Sequence, residues 1–193
     1  MLRIFVWLVM LAMFPKYAVI LFAILFVIGI FSGWLIDMIV KKYKIPTCEN
    51  CKEMVIHPME AGFKHYFIEH IFGHIIKKHL WKTALWTFGA LAIVEFGLHY
   101  LHLEQFTSQY KIVFLIVGAL VGLIPESGPH LIFVTLFAQG LIPFSVLLTS
   151  SIVQDGHGML PMLSYSFKDS MKLKAFNFVI GITIGLIFYV IGF

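Results

Sequence analysis

Two clusters of side chains in the second half of the chain carry groups that hold metal ions. Residues 122–133, GLIPESGPHLIF, set Glu126, Ser127 and His130 around Pro125 and Pro129. About thirty residues later, QDGHG supplies Gln154, Asp155 and His157. Carboxylate and hydroxyl oxygens together with imidazole nitrogen suit first-row divalent ions such as Mn, Zn, Fe or Co. Both clusters interrupt apolar sequence. Non-helical backbone in hydrocarbon leaves donors and acceptors unpaired, and it survives only where protein or water covers it. Two short segments interrupted by Gly and Pro are the sequence mark of a transporter's midplane site, where half-helix ends and freed carbonyls face the cargo. Glu126, Asp155 and His157 are the expected metal ligands, with His130, Gln154 and Ser127 assisting. The competing reading is two ordinary loops at a membrane surface.

Other candidates lie upstream. Glu95, His99 and His102 fall within roughly 60° of one another on a helix, which suits a second metal station or a proton acceptor on an exit path. CENC with His57 gives C-x2-C-x5-H through Cys48 and Cys51. A closed zinc site needs four ligands, so this group, with His70 and His74, reads as a place to recruit metal from the cytoplasm. H-E-x-x-H, G-x-S-x-G and P-loop patterns are absent. The pairs His70/His74 and His99/His102 have the spacing of histidine-box oxidases, but the charge pattern puts them at opposite ends of one span. A metal-dependent membrane enzyme, a histidine-box oxidase or a lipid phosphatase, is therefore the alternative function.

The elements that would position these groups are helices in lipid. The chain is 60% hydrophobic and only 12% charged, with mean hydropathy +0.94, whereas soluble domains carry about 25% charged residues. Eight of the fourteen Lys and Arg lie between Lys41 and Lys82, the positive-inside mark of a cytoplasmic loop rather than a nucleic-acid footprint. The expected fold is an all-α integral membrane protein with about four to six transmembrane or re-entrant helices, two of them broken, in a single membrane domain. Residues 1–14 form a short apolar segment, retained rather than cleaved because no small-x-small site follows. A span covers 17–40. The cytoplasmic loop 41–82 ends in an interfacial amphipathic helix, His65–Trp81. A second span covers 83–102, a broken span 112–138, a re-entrant element 141–163 and a last span 175–193. This places the protein in the inner (plasma) membrane as a multi-pass chain, with 41–82 and 168–174 cytoplasmic. Two cysteines in a basic loop imply a reducing compartment. No tightly bound cofactor is expected; a divalent transition metal is expected as cargo. Because Glu and His must deprotonate to bind metal, proton antiport fits the same groups.

The stretch Gly122–Leu163 carries L-I-P-x-x-G-P, then F-V-T-L, then G-x-I-P-F-S, then Q-D-G-x-G with Pro161 following. In order and spacing it resembles the ten-helix heavy-metal exporter family, often labelled arsenic efflux proteins or manganese transporters and related to ArsP-like permeases. The whole chain looks similar to the second half of such proteins, with the first half missing or reduced to Met1–Phe14. Where many members carry a cysteine in the first break, this sequence has Glu126 and Ser127. Thiolate favours arsenite, whereas carboxylate favours harder divalent cations, so the resemblance implies export of a divalent metal more than of arsenic. It also implies that such a half associates with a second copy or with a separately encoded partner half.

Overall fold

The computed structural model describes residues 2–43, 81–100, 103–125, 127–154, 159, 163 and 166–193. Among them are eight helices and no strand. They are α1 (Leu2–Met13), α2 (Pro15–Tyr43), α3 (Trp81–Tyr100), α4 (Leu103–Gln109), α5 (Lys111–Gly122), α6 (His130–Ala138), α7 (Phe144–Val153) and α8 (Phe167–Ile191). The amphipathic segment 65–80 and the Cys/His loop lie outside the described residues.

Prolines set several of the helix starts. α2 begins at Pro15, and α6 and α7 each follow immediately on a proline, Pro129 and Pro143. A proline lacks the N–H that a first turn would leave unpaired in any case. Pro15 also bends the chain. In a straight helix Trp7 and Phe22 would stand roughly 22 Å apart, yet their rings meet edge-on at 5.3 Å, so α1 folds back against the start of α2.

Helix directions follow from contacts. α7 runs parallel to α5, because Gly118 faces Ser150 and Gly122 faces Val153. It runs antiparallel to α8, because Thr149 faces Gly185, Val153 faces Gly181, and the Ser145 N–H donates to the Phe193 carbonyl at 3.3 Å. α6 and α7 are also antiparallel. They are joined by a tight turn in which Gly140 takes a positive φ of 73°, and the Phe137 and Phe144 rings pack across it at 6.0 Å. α5 and α6 are therefore antiparallel. Over 112–138 the chain turns back on itself, where the sequence suggested one interrupted span. A Pro/Gly break ends a helix but does not dictate the angle at which the next begins. Here Phe133 of α6 packs over Gly118 of α5 and holds the hairpin shut.

The centre is built from the short helices. α7 is buried over Phe144–Ser150 and at Val153, and α6 is buried over His130–Leu131 and Phe133–Leu136. Val146, Leu147, Leu148 and Val134 are fully enclosed. Three of the four hydroxyls of α7 are returned to their own helix: Thr149 donates to the Ser145 carbonyl at 2.8 Å, and Ser150 and Ser151 to that of Leu147 at 3.0 and 2.7 Å. Such back-bonding satisfies a buried hydroxyl without a partner helix. The long helices are peripheral. α2 and α8 are the two described helices long and apolar enough to cross a membrane, and their outer faces expose Phe26, Phe31, Trp34, Val179 and Val190.

α8 starts at Phe167, eight residues ahead of the expected span. Its first turn is capped by Ser166, whose Oγ accepts from the Asp169 N–H at 3.3 Å and whose hydroxyl donates to the Asp169 carboxylate at 2.9 Å. The first of these bonds is the usual serine N-cap. The extension brings Ser170, Lys174, Asn177, Gly181 and Gly185 onto one helical face, and of these Ser170, Lys174, Gly181 and Gly185 are buried.

The close approach of α5, α7 and α8 rests on glycine. A Cβ at Gly122 would lie 2.9 Å from the Cβ of Val153, and one at Gly181 would lie 2.5 Å from Val153 Cγ2. One at Gly185 would overlap the Thr149 side chain. Gly29 and Gly33 have nothing within 4 Å. We expect Gly122→Val and Gly181→Leu to destabilise the detergent-purified protein by about 1–3 kcal/mol, the usual cost of overpacking. Gly29→Ala and Gly33→Ala should leave its thermal midpoint unchanged or raise it. Midpoints that do not separate the two pairs would mean the bundle is not held by these contacts.

Candidate metal site at two chain breaks

Because α5 and α7 run parallel and end at the same level, their two breaks meet. Val153, the last residue of α7, touches Gly122, the last residue of α5. α6 starts at this level with His130. A cavity of about 270 Å³ opens there. Its polar wall is Ser127, His130, Ser151 and Gln154, and its apolar wall comes from α1 and α2 through residues that include Trp7, Met10, Leu21 and Phe22. The cavity thus takes one polar residue or more from each break and is closed by the bent α1–α2 pair.

Three polar atoms here are buried with no hydrogen-bond partner among the described residues: Ser127 Oγ, His130 Nδ1 and Gln154 Nε2. Ser127 is wholly enclosed and His130 is 2% exposed. Buried polar groups are ordinarily bonded, and each orphan costs about 1–3 kcal/mol. All three atoms belong to residues that line the one cavity. Ser151 differs: its hydroxyl is already committed to the Leu147 carbonyl.

The helix ends add a field. The last carbonyls of α5 and α7 point into the break region and carry partial negative charge, while α6 brings one positive N-terminal end. Two negative ends against one positive favour a cation. A further cation is already present. Lys174 of α8 is buried, and its ammonium donates to the carbonyl of Leu123 at the end of α5. The sequence placed Lys174 in a cytoplasmic stretch. In the structure Lys168 and Lys172 are exposed, the latter paired with Asp169 at 3.0 Å, but Lys174 reaches into the bundle.

Of the six residues expected to hold metal, Ser127, His130 and Gln154 come together at this cavity. Glu126, Asp155 and His157 lie outside the described residues. Among the described residues no three His, Cys, Asp or Glu side chains converge. Glu95 and His99 occupy neighbouring turns of α3 but are exposed and line no part of the cavity. His102, Cys48, Cys51, His57, His70 and His74 lie outside the described residues. Asp37 is exposed and pairs with Lys41 at 2.6 Å. Sequence reasoning missed Ser151, Lys174 and the α1 wall. For Lys174 the signal was its place on the small and polar face of α8; for Ser151 it was its position one turn before Gln154.

No curated protein and no solved structure matches the chain. One family model does, over residues 69–192, which is more than half of the chain and includes α3–α8 and both breaks. That family consists of transporters rather than enzymes. With both breaks, the intervening hairpin and α8 inside the matched region, the chain belongs to the family described as "Putative, 10TM heavy-metal exporter".

Proposed function

We propose that the chain carries a divalent transition-metal ion across the inner membrane, outward, through the cavity where the two breaks meet. The observation that carries this reading is the convergence on one cavity of Ser127, His130 and Gln154, each with a buried polar atom that has no partner among the described residues. Glu126 and Asp155, neighbours in sequence of Ser127 and Gln154, would add two carboxylates, and His157 a second imidazole. Oxygen with imidazole nitrogen suits Mn, Zn, Fe or Co, and no thiol of the chain falls in either break.

The helix lengths support a midplane position. α5, α6 and α7 have 12, 9 and 10 residues, hence roughly 14–18 Å each. That is about half of a hydrocarbon core of roughly 30 Å. The α5–α6 hairpin would enter from the outer side and return. α7 would descend from the same side to the second break, and the chain would continue inward to Ser166, from which α8 crosses back. Irregular backbone would then lie only where protein or an aqueous path covers it. The exposed apolar faces of α2 and α8 would meet lipid.

Metal affinity of the detergent-purified chain tests the site, scanned over Mn, Fe, Co, Zn and arsenite. His130→Ala, Gln154→Ala, Glu126→Gln and Asp155→Asn are each expected to weaken Mn2+ binding at least tenfold. His99→Ala and the Cys48→Ser/Cys51→Ser pair should bind as wild type does. Variants at the breaks that bind and move metal like wild type would overturn the assignment, as would binding that disappears only with the cysteines. Arsenite binding in place of the divalent ions would overturn the choice of cargo.

Ser127→Ala separates site from scaffold. It removes an orphan hydroxyl from a fully buried position, so the metal-free thermal midpoint should hold or rise. The extra stability that Mn2+ confers on the wild type should shrink. A metal-free protein that melts earlier, with its Mn2+ response intact, would make Ser127 a structural residue.

A further inference from the structure

The cavity chemistry leaves one buried charge unused. Lys174 stands on the inward face of α8, one turn after buried Ser170 and two turns before Gly181. It is 6% exposed. Its ammonium donates to the carbonyl of Leu123, fifty-one positions away in sequence. Leu123 is the C-cap of α5 and opens the first break. A lysine in such a place is costly unless something offsets it, and intramembrane ionisable residues are functional by default. The offset on view is the negative end of α5, where the Leu123 and Ile124 N–H groups donate to the Leu120 and Val121 carbonyls and the ammonium takes the carbonyl of Leu123. A metal ion at the breaks would draw on the same partial charge.

We propose that Lys174 is a tethered cation. It occupies the carbonyl end of α5 while the site is empty, and a divalent ion displaces it on binding. This rests on the metal-site reading above and adds a mechanism to it. An ammonium and a divalent ion cannot share one helix end without strong repulsion, because the low dielectric of a buried site magnifies the interaction between like charges. The lysine therefore sets the affinity. It weakens metal binding by competing for the carbonyl, and it restores the empty state by returning to it. A carrier that must release its cargo gains from such a built-in competitor. Lys174 is on this account a positioning residue, acting through the Leu123 carbonyl and not as a ligand.

Two measurements on the full chain test it, with Mn2+ alone as the probe. Lys174→Met removes the charge and keeps the length; it should bind Mn2+ at least tenfold more tightly. Lys174→Arg keeps the charge and should stay much closer to wild type. In the unmodified protein, the rate of reductive methylation at Lys174, read by peptide mass spectrometry, should rise severalfold at saturating Mn2+ as the ammonium leaves its carbonyl. Unchanged or weaker affinity in Lys174→Met overturns the proposal and makes the lysine a simple helix cap. So does a methylation rate that Mn2+ leaves unchanged or slows, and that readout is available even where the variant does not fold. Wild-type protein that binds no Mn2+ removes the metal site and this inference together. Wild-type binding with an indifferent Lys174 removes only the inference.

Discussion

The seating of Val153 between two glycines governs the architecture. Gly122 and Gly181 offer it bare backbone from either side. Packed helices ordinarily lie 8–10 Å apart, and small residues are the means by which membrane helices come closer when lipid provides no hydrophobic drive between them. Here that closeness brings the end of α5 level with the end of α7. Separate the two helices by one side-chain layer and the breaks would face different surroundings. Ser127 and His130 would then belong to one surface and Gln154 to another.

The result is an inverted plan. In a simple bundle the long helices make the core. In this chain three half-length helices make it, and α2 and α8 stand around them with apolar faces outward. The arrangement answers a specific problem. Backbone that leaves a helix away from water needs its polar groups covered, and the long helices on the perimeter provide cover. Polar side chains are rationed accordingly. Hydroxyls of α6 and α7 such as Thr135, Thr149, Ser150 and Ser151 turn back to their own carbonyls. Of the four buried atoms that lack a partner among the described residues, three sit at the cavity; the fourth, Ser145 Oγ, lies at the opposite end of α7.

Much of this was legible in the sequence, and what was not has physical reasons. Pro125, Pro129 and Pro143 mark real helix limits, because a missing N–H and a fixed φ act locally. The residue types at the breaks singled out Ser127, His130 and Gln154, which line one cavity in the structure. The hairpin was not legible, since the turning angle depends on Phe133 meeting Gly118 across the fold. Glu95 and His99 do occupy one side of α3, as their spacing requires. Spacing says that residues share a side, but only neighbouring helices decide which way it looks, and it looks outward. The burial of Lys174 was not legible, because a charge count treats each lysine as solvated. Its period with Ser170, Gly181 and Gly185 carried the opposite message. The start of α8 was readable from Ser166 and Asp169, although the polar run that follows them argued for a loop.

The short central helices also constrain biosynthesis. A segment of 9 or 10 residues cannot cross a bilayer alone, so α6 and α7 have no stable position in lipid until their neighbours arrive. Their glycine-lined partner, α8, follows both of them in the chain. From their synthesis until α8 emerges, the half-helices must therefore wait at the membrane surface or in the insertion machinery. The centre closes only when α8 enters, so a ribosome that stalls before Gly181 leaves the cavity unassembled.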